Sequence, residues 1–306
     1  MDEPDYYQAF LRQLAIVRDR VRGVVCGEAT GLYLHGRPGT SKSHTICSTL
    51  DMLGANYRVA NGHLTPMGLF DLLDENRDRI TVLDDMASLF NQPIALQFLL
   101  AALGRQNVSQ AIRYIRHKTA NGERVVPFTG GIVALSNLPL SGHHHEILAA
   151  LNDRIFVIEF EPSDEQICAV INELARQGIG GVDPQDARMV ATFVITECKA
   201  RGVRPSIRLF VDKALPDFRL HRAGQTESDW RDLVISNILQ QLLEPQHPTR
   251  KPGRAEMTEA EQRIALEIAL SHPTRPERVA AWKARTGKSQ ASLYRRIDEL
   301  KQSGRL

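Results

Sequence analysis

Leu32-Tyr33-Leu34-His35-Gly36-Arg37-Pro38-Gly39-Thr40-Ser41-Lys42-Ser43 is the stretch whose reading decides the fold. Three apolar residues lead into a turn of glycine, proline and small polar residues. Lys42-Ser43 follows, then an apolar spacing through Ile46 and Leu50 that predicts a helix. The order is strand, loop, helix. Gly36, Lys42 and Ser43 fit the spacing G-x-x-x-x-G-K-[ST], with Gly39 inside the loop and Ser41 where the last glycine usually stands. Small residues let backbone N–H groups turn inward around a phosphate, the lysine reaches the outer phosphates, and the hydroxyl meets a divalent cation. The helix N-terminus behind the loop adds its positive dipole end. Gly36, Arg37, Pro38, Gly39, Thr40, Ser41, Lys42, Ser43 and His44 are therefore the candidate phosphate-binding segment.

Working outward, the chain alternates strands with helical patterns. Residues 7–22 show helical spacing, Tyr57 to Ala60 reads as a short strand, and Thr65-Pro66 opens a helix as N-cap and first-turn proline. Arg79 to Asp85 (R-I-T-V-L-D-D) reads as a buried strand with two acids at its C-terminal tip, where ligands bind in open α/β sheets. Asp84 is placed to hold Mg²⁺ together with Ser43, and Asp85 to orient or deprotonate an attacking water. Ile94 to Leu103 predicts a helix. Residues 111–128 alternate on either side of Asn121-Gly122, a hairpin signal that places Arg116, His117 and Lys118 near the tip, projecting outward. A buried strand over Ile132 to Leu135 ends at Ser136-Asn137, putting the Asn137 amide within reach of water or phosphate. After a polar bend at His143, His144, His145 and Glu146, Leu151 to Phe160 reads as another strand with Arg154 at its entrance. Adjacent histidines point in different directions, so no metal site is read there.

The 306 residues suffice for two domains and a sizeable core. With 42% hydrophobic and 24% charged residues the chain is that of an ordinary globular protein. The net charge of +2 is uneven: twelve Lys/Arg and seven Asp/Glu lie from Lys251 onward, so the tail carries +5 and the body −3. A basic tail suggests a polyanionic partner. Four scattered cysteines (Cys26, Cys47, Cys168, Cys198) match neither a zinc spacing nor a disulfide framework. With no signal peptide or long apolar span, a cytoplasmic location and no membrane partner are expected.

Residues 163–243 turn helical, with Arg204 and Arg208 opening one of the helices, and Pro245 to Gly253 reads as a proline-rich linker. The tail, 257–306, patterns as three helices. In the last, Leu293, Ile297 and Leu300 form the buried stripe, leaving Gln290, Ser292, Tyr294, Arg295 and Arg296, with Lys288 in the turn, for a DNA groove or its phosphates. A tight turn at Gly287 before a helix opening with small polar residues is helix-turn-helix grammar, and the chain stops at Leu306 where a wing would be built.

Taken in order, these motifs resemble the AAA+ ATPases: Gly36 to Ser43 as Walker A, Asp84-Asp85 as Walker B, Asn137 as sensor 1, Arg154 as arginine finger and Arg208 as sensor 2. The hairpin ahead of the S-N-L-P segment is most similar to the clade with a pre-sensor-1 hairpin, which includes the superfamily 3 and minichromosome-maintenance helicases. The core-plus-tail layout is similar to replication initiators. The resemblance implies an α/β fold with a five-stranded parallel sheet of order 5-1-4-3-2, ATP and Mg²⁺ as cofactors, DNA as partner, and a homo-oligomeric ring, commonly hexameric. It divides the chain into an N-terminal helix (1–27), a nucleotide-binding core (28–162), a helical lid (163–244), a linker (245–256) and a helix-turn-helix domain (257–306). In such a ring Arg154 serves the neighbouring subunit. Two activities fit: an ATP-driven, helicase-like motor on DNA, or an ATP-controlled DNA-binding switch with slow hydrolysis.

Overall fold

Among the described residues seven strands form in chain order: β1 (Gly31–His35), β2 (Tyr57–Asn61), β3 (Ile80–Asp84), β4 (Arg113–Thr119), β5 (Gly122–Phe128), β6 (Ile132–Ser136) and β7 (Phe156–Glu159). Five build one parallel sheet in the order β2-β3-β6-β1-β7, and β4 and β5 pair apart from it as an antiparallel hairpin. With the hairpin left out, that order is the 5-1-4-3-2 implied by the resemblance. The computed structural model describes residues 3–104, 111–120, 122–140, 145–243, 261, 264–269, 271, 274–286 and 288–302. His143, His144, Gly287, the linker 245–256 and the chain end at Leu306 lie outside them.

The helices are α1 (Glu3–Val25), α2 (Lys42–Met52), α3 (Pro66–Glu75), α4 (Pro93–Leu103), α5 (His145–Asn152), α6 (Asp164–Gln177), α7 (Pro184–Arg201), α8 (Leu215–Arg222), α9 (Trp230–Leu243), α10 (Arg275–Thr286) and α11 (Gln290–Gln302). The central strands are apolar on both faces because both faces are covered. Successive residues of β1 split accordingly: Leu32 and Leu34 join a cluster with α1, α2 and α6, whereas Tyr33 joins the cluster of α3, α4, α5 and the hairpin. The lid helices share the first of these clusters through Leu209, Phe210 and Trp230. Met1–Gln241 is one compact unit and Leu242–Leu306 a second, whose core is Ala265, Ile268, Trp282, Leu293, Ile297 and Leu300. Among the described residues no helix is long and apolar enough to cross a membrane.

Local chemistry explains the element ends. Thr65 accepts a hydrogen bond from the Gly68 N–H at 3.1 Å, with Pro66 in the first turn of α3. Ser163 and Gln166 close a reciprocal capping box on α6. Leu209–Ala214 forms a wide π-helical turn just before Pro216, whose ring removes a backbone donor from α8.

Three local readings need correction. His145–Asn152 is a helix rather than a bend running into a strand, because Leu148 and Leu151 bury one face against the sheet. The hairpin closes on the Thr119–Gly122 pair, one residue earlier than a turn centred on Asn121-Gly122, and Asn121 lies outside the described residues. His117 does not project outward. Strand alternation turns Arg113, Ile115 and His117 inward, and His117 packs between Phe70 of α3 and Phe98 of α4, 5.7 and 5.6 Å between ring centroids.

His117→Ala should lower the melting temperature by roughly 2–8 °C, as about 1–2 kcal/mol does in a domain of this size. Lys118→Ala, on the exposed face, should stay within about 2 °C of the parent. Equal shifts in thermal scans would contradict the inward packing of His117.

Candidate functional site

The turn between β1 and α2 is held in a conformation few side chains adopt. Gly39 has φ 78° and Ser41 has φ 68°, so the serine does take the left-handed backbone its glycine-like position demands. At Gly36, φ 151°, a Cβ would overlap the carbonyl of Phe160. Thr40 turns its hydroxyl back onto the Arg37 carbonyl at 3.0 Å, tightening the loop.

Lys42 is buried, and its ammonium donates to the carbonyls of Gly36 (2.6 Å) and Arg37 (2.7 Å) and to Asn137 Oδ1 (3.1 Å). Burial lowers its pKa to about 8; Glu161 pulls it up, Arg208 pushes it down, and Asp85 and Asp84 pull it up again. The Ser43 hydroxyl donates to Asp84 Oδ1 at 3.1 Å across the tips of α2 and β3. Asp85 holds φ 56°, with its backbone N–H on the Leu135 carbonyl, which swings its carboxylate to 3.5 Å from Asn137 Nδ2. Asn137 thus bridges Lys42 and Asp85.

These groups line one end of a cleft of about 730 Å³. Of the loop, Pro38, Gly39, Ser41, Lys42, Ser43 and His44 face it, as do Asp84, Asp85, Asn137 and Arg208. Gly36, Arg37 and Thr40 do not. The Arg37 side chain leaves the cleft to pair with Asp164 at 2.6 Å. Arg204 joins the same cluster, 2.9 Å from both Glu161 and Asp164. Of the two lid arginines, Arg208 is therefore the one beside Lys42. The far end of the cleft is apolar and was missed in the sequence: Tyr7, Leu11 and Leu14 of α1 face Leu174 of α6, Ile179 and Val211. Their helical spacing read only as core.

Ser43 and Asp84 offer a hydroxyl and a carboxylate oxygen close together, a donor set that suits a hard divalent cation. Among the described residues no cluster of three or more His, Cys, Asp or Glu could hold a metal. Arg154 lies outside the cleft, exposed, with its guanidinium reaching the Leu100 carbonyl at 3.5 Å.

Within the second unit, most of the residues assigned to DNA are engaged internally. Glu261, only 7% exposed, pairs with Lys288 and with Arg296 Nε at 2.7 Å; Arg296 also holds Glu299 at 2.8 Å. Burial raises the Glu261 carboxyl, but its bonds to Lys288 and Arg296 outweigh that and lower it. Ser292 accepts from the buried Trp282 indole at 2.9 Å, and the Tyr294 hydroxyl accepts from Arg275 Nε at 2.9 Å. Gln290 and Arg295 are exposed on α11. Helical periodicity shows which face of α11 is apolar but not which polar groups pair, so the sequence alone does not separate these two from their paired neighbours.

No family model matches the chain, and no curated protein matches it by sequence. Among solved structures it is similar to a RuvB mutant of Thermotoga maritima (17% identity over 97% of this chain and 88% of that one, TM-score 0.44). It is also similar to ORC2 of Aeropyrum pernix with ADPNP and ADP (14%, 96% and 85%, TM-score 0.49). A third is domain III of the replication initiation protein DnaA of Thermotoga maritima (13%, 76% and 92%, TM-score 0.47). Likenesses this distant carry no argument about activity. The fold is defined by what the chain itself builds: a phosphate loop on a five-stranded parallel sheet with a helical lid.

The loop–lid contact is testable. A Cβ at Gly39 would meet Ser206 Cβ at 2.7 Å, whereas at Gly54, φ 60°, it would meet nothing within 4 Å. Both Gly→Ala changes carry the left-handed penalty of about 1–2 kcal/mol. Gly39→Ala should therefore lower the melting temperature at least twice as much as Gly54→Ala. Equal shifts would mean that the lid does not press on the loop.

Proposed function

We propose that the protein is an AAA+ ATPase that binds and hydrolyses Mg²⁺–ATP and acts on DNA. One observation carries the reading: Lys42, the Ser43–Asp84 pair and the Asp85–Asn137 pair converge at the C-terminal tips of β1, β3 and β6, with Arg208 beside them. Ser43 and Asp84 are the residues that would hold Mg²⁺, which when bound neutralises charge on the outer phosphates. Lys42 supplies a buried cation for them, and the apolar end of the cleft accommodates the base. Asp85, exposed and aimed at Asn137, accepts a proton from water or orients it. Arg154, outside its own cleft, acts on a neighbouring subunit of a ring, where an arginine finger is worth about 10³-fold or more in rate.

Lys42→Ala should lose ATP binding, and Asp85→Asn should keep binding but lose hydrolysis, measured by calorimetry and phosphate release. Unchanged turnover in Asp85→Asn would remove the assigned base.

For DNA the outward face of β4 is the better surface. Tyr114, Arg116 and Lys118 share it at alternate positions, Tyr114 being 51% exposed, and an aromatic ring beside two cations suits single-stranded nucleic acid. In the proposed ring this hairpin faces the channel, and the second unit adds duplex contact through Gln290 and Arg295. Replacing Tyr114, Arg116 and Lys118 by alanine should keep basal ATP hydrolysis within about twofold and remove its stimulation by single-stranded DNA. A triple variant that still responds like the parent would remove the hairpin as the contact and favour the nucleotide-controlled switch over the motor.

A further inference from the structure

We infer that Arg113 is a positioning residue for Arg154, acting through the last turn of α4. The inference rests on the proposed ATPase reading and assigns to the hairpin base a role in aiming the finger.

A helix leaves its last carbonyls without partners of its own. In α4 the Gly104 N–H already takes the Leu100 carbonyl at 2.9 Å, and three separate elements gather on the same last turn. Arg113, the first residue of β4, donates from Nη1 to the Ala102 carbonyl at 2.6 Å. Thr30, at the entrance of β1, donates to the Leu103 carbonyl at 2.8 Å, and the same hydroxyl lies 3.3 Å from the Arg154 carbonyl. The Arg154 guanidinium reaches the Leu100 carbonyl at 3.5 Å and lies across Gly104, where a Cβ would stand 3.6 Å from its Cζ. Two arginines and one threonine thus share the negative end of a single helix.

Arg113 is fixed on its other side as well. Its Nη2 donates to the Gly130 carbonyl just past β5, its guanidinium lies 5.1 Å from the Phe128 ring centroid, and the residue is 4% exposed. A buried guanidinium does not leave its acceptors without a large penalty, so the hairpin base and the end of α4 move together. Any force on the exposed hairpin face is then delivered to the turn on which Arg154 rests.

The test is complementation between subunits in assembled protein. Arg113→Met keeps an apolar stem and removes the donors. Its affinity for ATP should stay within about threefold of the parent, and its kcat should fall about 10- to 100-fold, the scale of a misplaced catalytic group. Mixed with Asp85→Asn it should regain turnover, because each mixed interface can pair an intact site with an intact finger. Mixed with Arg154→Ala it should not, because both variants lack a working finger. Thr30→Val, which preserves side-chain shape, should fall in the same complementation class with a smaller loss, and it decides the matter if Arg113→Met binds ATP poorly. Recovery with Arg154→Ala, or parental turnover in both Arg113→Met and Thr30→Val, overturns the inference. A fully active Arg154→Ala protein instead sinks the finger reading itself, a result visible without any change at Arg113 or Thr30.

Discussion

A buried ammonium dictates much of this structure. Lys42 has given up water, and an ammonium can only donate, so acceptors must converge on it. Two come from its own loop, Gly36 and Arg37, and one from Asn137 beyond β6. The side chain thereby ties the loop to the tip of a strand that pairs with β1 through His35 and Ser136. Neutral carbonyls offset the lost hydration only in part, which is why the ammonium is held down to about 8. A polyanion supplies the attraction the carbonyls lack, so the same burial that costs the unliganded protein favours phosphate.

The loop that holds Lys42 is also where the lid attaches. Gly39 accepts the Ile207 N–H at 3.0 Å, and Ser206 sits against its α-carbon. Arg37 leaves the loop for Asp164, and Arg204 returns from the lid segment to Glu161 and Asp164. Two loop residues ahead of Lys42 are therefore tied to the segment that presents Arg208, Gly39 directly and Arg37 through the acid it shares with Arg204. Loop and lid are thus joined directly, by the Gly39 carbonyl and the shared acids, next to Ser41 in its left-handed conformation.

The sheet order came only through the family resemblance, whereas the phosphate loop and the paired aspartates were legible because each depends on local pattern, small residues before a lysine and an apolar run ending in polar tips. The apolar end of the cleft was not, because Tyr7, Leu11 and Leu14 show the same 3.6-residue spacing whether they meet a ligand or another helix. The strand read over Leu151 to Phe160 does contain β7, but its first residues close α5, since an apolar residue at the head of such a run does not show whether it ends a helix or begins a strand. Arg113 drew no reading of its own within the alternating stretch 111–128, and residue type does not distinguish it from Arg116. Only the pleat, set by contacts with α3 and α4, buries the first and exposes the second.

The same distinction governs every cationic stretch in the chain. A run of basic residues reports how much charge there is, and burial decides which way each one points. In β4 alternation separates the inward Arg113 and His117 from the outward Arg116 and Lys118. In the second unit the buried Glu261 draws in Lys288 and Arg296, because a carboxylate removed from water must be paired. The net charge of that unit survives such pairing, and its field still attracts a polyanion over about a Debye length. Short-range contact does not survive it, because a guanidinium already holding two carboxylates has fewer N–H groups left for phosphate. Under the proposed function, nucleic-acid contact is set less by the number of lysines and arginines than by the few that the core leaves facing outward.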